Sequence, residues 1–189
     1  MPISIGAPMI FRETRLRGAY VIDIERNADE RGFFARTWCR RELAARNLEA
    51  EYVQGSLSVS SLRGTVRGLH FQSEPHSETK IVQCVRGAIY DVIVDLRSRS
   101  PSFRHWFGVE LTAESHRLLY VPAGFAHGFQ TLNDNTEVSY VISAFHVPAA
   151  ARGIRYDDPA LGIPWPMKAT CISQKDLDLP SLDQVPAQG

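Results

Sequence analysis

The residues to weigh first for chemistry are six histidines, His70, His76, His105, His116, His127 and His146. A metal-binding β-barrel ordinarily offers two histidines one residue apart, followed by a carboxylate. No His-x-His occurs in this sequence, and HFQSEPH spaces His70 and His76 too widely for neighbouring ligands on one strand. No metal is therefore expected. GxSxG, P-loop and GxGxxG patterns are missing too, so neither a covalent nucleophile nor a nucleotide cofactor is signalled. What remains is arginine and histidine beside glycine. Arg63-Gly-Thr-Val-Arg67-Gly-Leu-His70 holds two arginines and a histidine, and Arg31 sits between Asp29-Glu30 and Gly32-Phe33-Phe34. A guanidinium fork donates two hydrogen bonds at once and suits a pyrophosphate. An imidazole titrates near neutrality and suits proton transfer. In a regular strand Arg67 and His70 point to opposite faces, so they share a pocket only if the chain bulges, which Gly68 between them permits.

Two further groups read as structural. Asp91 and Asp95 in AIYDVIVDLR share a face with Ile89 and Ile93. Paired carboxylates suit acid–base work or a cation, but the favoured reading makes them partners of a buried or rim arginine. Trp38, Trp106 and Trp165 are assigned to core packing rather than ligand stacking.

The elements that must position these groups are short strands. Tyr20 to Glu25, Tyr52 to Ser60, Thr65 to Phe71, Lys80 to Val85 and Ala88 to Leu96 are rich in β-branched or aromatic residues. So are His105 to Leu111, His116 to Val121, Gly128 to Leu132 and Glu137 to Ser143, and all are bounded by Gly, Pro, Asn or Ser. Their spacing predicts an all-β sandwich or barrel. Arg40 to Asn47 reads as the one clear helix before the last third, and the chain from Pro164 onward as irregular or short helix wrapped on the surface. One domain over residues 1–189 is expected. The charge balance, 21 Lys and Arg against 21 Asp and Glu, gives no broad positive field for nucleic acid. No apolar run approaches a membrane span. Cys39, Cys84 and Cys171 form no CxxC, and the start MPISIGAPMIFRETRLRG shows no secretion signal, so a cytoplasmic location is expected.

Six stretches, in order, resemble the dTDP-4-dehydrorhamnose 3,5-epimerase family: DERGFF from Asp29, TVRGLHFQ from Thr65, VRGAIYDVIVDLR from Val85, SPSFRHWFGVELTAES from Ser100, VPAGFAHGF from Val121 and YDDPALGIPWP from Tyr156. The resemblance implies a cupin jelly-roll of antiparallel strands with a few short peripheral helices. It implies cofactor-free epimerisation of a nucleotide-linked 4-keto-6-deoxysugar at C3, C5 or both. His70 would be the base, Asp176 its carboxylate partner, Tyr140 the acid on the opposite face, and Lys80 the cation at the C4 oxygen. Arg31, Gln54, Arg67, His127 and Lys175 would contact substrate. A homodimer is implied, with an N-terminal strand near Tyr20 to Glu25 pairing with the partner. Arg36, Ser56, Ala151 and Phe145-His146 depart from the family pattern, and Arg36 and Ala151, standing where the resemblance implies carboxylates, predict a distinct nucleotide preference. Single-centre inversion, a 4-keto to 3-keto shift and non-catalytic sugar binding stay open.

Overall fold

A computed structural model describes residues 8–189; the first seven, part of the stretch read above for a secretion signal, lie outside it. Thirteen strands are described. A six-stranded sheet runs β1 (Met9–Glu13), β2 (Tyr20–Ile24), β10 (Leu118–Val121), β7 (Lys80–Arg86), β12 (Thr136–Ile142), β5 (Gln54–Ser60). A five-stranded sheet runs β13 (Ala151–Gly153), β6 (Val66–Gln72), β11 (Phe125–Thr131), β8 (Ala88–Asp95), β9 (Trp106–Thr112). β3 (Asn27–Asp29) and β4 (Gly32–Phe34) form a separate hairpin. All pairings between these strands are antiparallel. The nine strands expected from the sequence are present, with ends shifted by a few residues, and β1, β3, β4 and β13 add to them.

The strand β8 shows how sequence becomes architecture. Ile89 and Ile93 join Phe125, Phe129, Val82, Cys84, Leu119 and Val138 in the core between the sheets. Val92 and Val94 face the other way, into a second core closed by Ile154, Leu161, Leu182 and Val185 from the C-terminal margin. A strand covered on both faces loses the polar half of its alternation, which is why AIYDVIVD reads as nearly continuous apolar sequence. The six-stranded sheet has a third core on its outer face, where Ile22, Ile81 and Leu118 pack under Leu43 of the helix α1 (Arg40–Ala44). Trp106 and Trp165 pack against the second core, whereas Trp38 is half exposed, edge-on to Tyr52.

The crossing of β6 and β11 sets the site. Arg67 is paired with Phe129 and His70 with His127, so three steps along β6 answer two along β11 and a bulge separates them. Gly68 takes φ +114° there, and a Cβ on it would lie 2.6 Å from the Gly128 Cα and 2.8 Å from the His127 carbonyl oxygen. The bulge turns Arg67 and His70 toward one cavity, as the odd spacing demanded.

Candidate active site

His70 projects from β6 into the open end between the sheets, with its side chain 42% exposed. Its Nε2 lies 2.7 Å from Oδ1 of Asp176, which is buried. A carboxylate only accepts, so Nε2 is the donor in this contact and Nδ1 is the ring nitrogen that Asp176 leaves unengaged. Asp176 is held from two directions. It sits in the first turn of the short helix α2 (Gln174–Leu177), where its N–H donates to the capping Ser173 hydroxyl at 3.1 Å, and Gly68 N–H donates to its Oδ2 at 3.2 Å. Burial alone would raise its carboxyl pKa. The hydrogen bond and charge of His70, with the Gly68 and Ser173 donors, outweigh burial and hold it below its ordinary value.

A second imidazole–carboxylate pair lies deeper. His127 Nε2 is 2.6 Å from Asp91 Oδ1, and both side chains are buried. The ring of His127 stands edge-on to Tyr140, with centroids 6.1 Å apart. Burial, and then the Asp91 charge, push the Tyr140 phenol well above its ordinary pKa, against the pull of the Arg67 guanidinium, so Tyr140 carries its proton at neutral pH. Asp91 thus partners a histidine, which corrects the expectation of an arginine. Asp95 does take an arginine: Arg97 reaches it at 2.8 Å, and Ser100 and Ser102 donate to the same carboxylate.

Two adjoining cavities, of about 260 and 380 Å³, share His70, Lys80, Ile142 and Lys175 on their walls. The larger also meets Arg67, His127, Tyr140, Ser56 and Asp176, and the smaller Gln54, Gln72, Glu78, His146, Ala151 and Arg152. Eight of the nine residues singled out from the sequence therefore line this pair of cavities. Arg31 does not. It lies on the exposed β3–β4 hairpin and pairs with Asp29. Lys80 is nearly buried, and its Nζ lies 3.0 Å from Oε1 of Glu78. The sequence reading overlooked Glu78; its only signal was an acidic residue two positions before Lys80. Among the described residues no group of three or more His, Cys, Asp or Glu is arranged to hold a metal ion.

A histidine–carboxylate pair, a protonated phenol and a lysine around one cavity suit acid–base chemistry. The family model for dTDP-4-dehydrorhamnose 3,5-epimerase matches residues 13–184. This chain belongs to that family. The family's dTDP-4-dehydrorhamnose 3,5-epimerase from Sinorhizobium fredii is 42% identical over 183 residues, 94% of this chain and 92% of the relative. The dTDP-4-dehydrorhamnose 3-epimerase of Streptomyces niveus is 38% identical over 172 residues, 90% of this chain and 82% of the relative. The crystal structure of the Bacillus anthracis dTDP-4-dehydrorhamnose 3,5-epimerase, with TDP and PPi bound, superposes with a TM-score of 0.89 at 42% identity, covering 93% of this chain and all of that one. The fold is accordingly the cupin jelly-roll that the family resemblance implied.

Among the departures from the family pattern, Arg36 pairs with Glu42 at 2.7 Å rather than lining a cavity, whereas Ser56, Ala151 and His146 do line one. The segment Tyr20 to Glu25, expected to offer a free edge to a partner, is paired by β1 on one side and β10 on the other. Among the described residues the edges of that sheet are β1 and β5.

Proposed function

We propose that the protein epimerises a dTDP-linked 4-dehydro-6-deoxyglucose at C3 and C5, giving dTDP-4-dehydrorhamnose, without a cofactor. The observation that carries this reading is the His70–Asp176 pair opening onto the same cavity as Tyr140 and Lys80. The 4-keto group acidifies the protons on C3 and C5. His70 Nδ1 removes one, Asp176 stabilises the resulting imidazolium, and the charge moves to the C4 oxygen as an enolate. Lys80 donates to that oxygen, in a site where burial strengthens the interaction. Tyr140, protonated at neutral pH, returns a proton to the opposite face and inverts the centre. Arg67 and Lys175 supply positive charge for the diphosphate, and Gln54 and His127 complete the contacts. The names of the relatives, and the TDP and PPi of the Bacillus anthracis structure, support a dTDP-linked substrate. The Streptomyces niveus relative, named as a 3-epimerase, supports single-centre inversion as the second reading.

The active form in this reading is a cytoplasmic homodimer. Among the described residues β5 is an edge strand with Leu57 and Val59 more than half exposed, and β1 is the opposite edge of the same sheet. The exposed hairpin carries Arg31 and Phe34 away from the chain's own cavities, and in this reading they reach a partner's. No helix among the described residues is long and apolar enough to cross a membrane, and Cys39, Cys84 and Cys171 are all free thiols. The test is His70→Ala: exchange of the C3 and C5 protons with deuterated solvent should fall by about 100- to 10,000-fold. Near-full exchange in that variant would remove His70 as the base.

A further inference from the structure

A buried carboxylate oxygen without a hydrogen-bond donor is costly, and folded proteins seldom keep one without a use for it. Glu78 keeps one beside the proposed reaction centre. Its side chain is 9% exposed, its Oε1 is held 3.0 Å from Lys80 Nζ, and its Oε2 is buried with no partner among the described residues. Glu78 lines the smaller cavity, next to Lys80 and His70 on the shared wall. Glu78 and Lys80 therefore stand side by side on the wall of that cavity, an ammonium donor next to a carboxylate whose second oxygen has no partner among the described residues.

That pattern complements one chemical group, an α-hydroxyketone, whose carbonyl accepts and whose neighbouring hydroxyl donates. We infer that Glu78 is a specificity-determining residue that accepts a hydrogen bond from the hydroxyl on C3 while Lys80 donates to the C4 oxygen. The inference rests on the epimerase reading, which puts the ketone at Lys80. C4 has two neighbours, and only C3 carries a hydroxyl; C5 bears a methyl group and the ring oxygen. Glu78 thus fixes which way round the ring enters, with C3 toward the smaller cavity. A site that hydrogen-bonds a substrate hydroxyl discriminates strongly against the analogue lacking it, because the buried acceptor is then left unpaired. A carboxylate that served only as counter-ion to Lys80 would treat the two compounds alike.

The experiment compares the dTDP-linked 4-keto-6-deoxyhexose with its 3-deoxy analogue. Wild type, Glu78→Met and the gentler Glu78→Gln are compared by C5 proton exchange and by calorimetric affinity. Wild type should favour the parent by on the order of 100-fold in kcat/KM. Glu78→Met, which removes the acceptor at similar volume, should shrink that preference to a few-fold, and Glu78→Gln, whose amide oxygen still accepts, should retain part of it. Equal handling of both compounds by wild type overturns the inference without any variant, and so does an undiminished preference in Glu78→Met. Absence of exchange from either compound in wild type would instead count against the epimerase reading. The hydroxyl contact is then decided by affinity, where equal binding of the two compounds overturns it.

Discussion

Replacing Asp176 by Asn changes almost nothing in shape and should nevertheless remove most of the activity. In the native protein the Asp176 carboxylate accepts from His70 Nε2 at 2.7 Å and from Gly68 N–H at 3.2 Å. An asparagine has one acceptor and one donor to meet those two groups. Gly68 N–H can only donate, so the amide oxygen must face it, and the NH2 group turns to His70. The imidazole answers by accepting at Nε2, which moves its proton to Nδ1, the nitrogen that serves as the base in the proposed mechanism. A base whose lone pair has been turned away from the substrate cannot abstract a proton, and the loss of the carboxylate charge also removes support for the imidazolium. The expected fall in kcat is about 100- to 10,000-fold, equivalent to about 3–5 kcal/mol of activation free energy. Because both hydrogen bonds can be remade, the fold should lose only about 1–2 kcal/mol, seen as a small drop in Tm. The assay is proton NMR of C3 and C5 exchange in deuterated water, beside thermal denaturation. A folded Asp176→Asn protein working within a few-fold of wild type would refute the tautomer argument.

Three further outcomes are expected. Tyr140→Phe should retain part of the exchange catalysed by His70 while lowering inverted product by about 100-fold or more, because only the second proton transfer lacks its donor; equal loss of both would assign Tyr140 to binding or folding. Burial raises the Asp95 carboxyl pKa, but Arg97, Ser100 and Ser102 hold it below the ordinary value. Its contribution is therefore present above that ordinary value and lost as pH falls through the lowered one, so Asp95→Asn should cost about 3 kcal/mol at neutral pH and flatten the acid side of a Tm-against-pH curve. An unchanged acid limb would contradict this. Sedimentation should show a dimer that Leu57→Asp combined with Val59→Asp weakens, and Arg31→Ala should raise KM without changing assembly; a fully active monomer would rule out a shared site.

What the sequence disclosed depended on distance along the chain. Strands such as β8 and β12 announce themselves through local composition, and the bulge linking Arg67 to His70 was legible from an odd spacing with a glycine inside it. β3, β4 and β13 were not, because three-residue strands carry no periodicity. Asp176 is 106 positions from His70, and no local pattern joins them; the family motifs alone placed it at the site. Asp91 was assigned an arginine because its partner His127 lies on another strand, brought opposite by sheet register. Arg31 was noted beside a glycine and read as a substrate contact, but its hairpin stands away from the chain's own cavities, a fact of tertiary arrangement. Glu78 was missed because burial, rather than residue type, distinguishes it from an ordinary surface glutamate.

The most direct measurement is the fate of the C3 and C5 protons of dTDP-4-dehydro-6-deoxyglucose when the wild-type protein acts on it in deuterated water. The account predicts loss of both proton signals, deuterium at both carbons and accumulation of dTDP-4-dehydrorhamnose, with no cofactor added. Exchange at neither carbon would contradict it, and exchange confined to C3 would replace it with single-centre inversion.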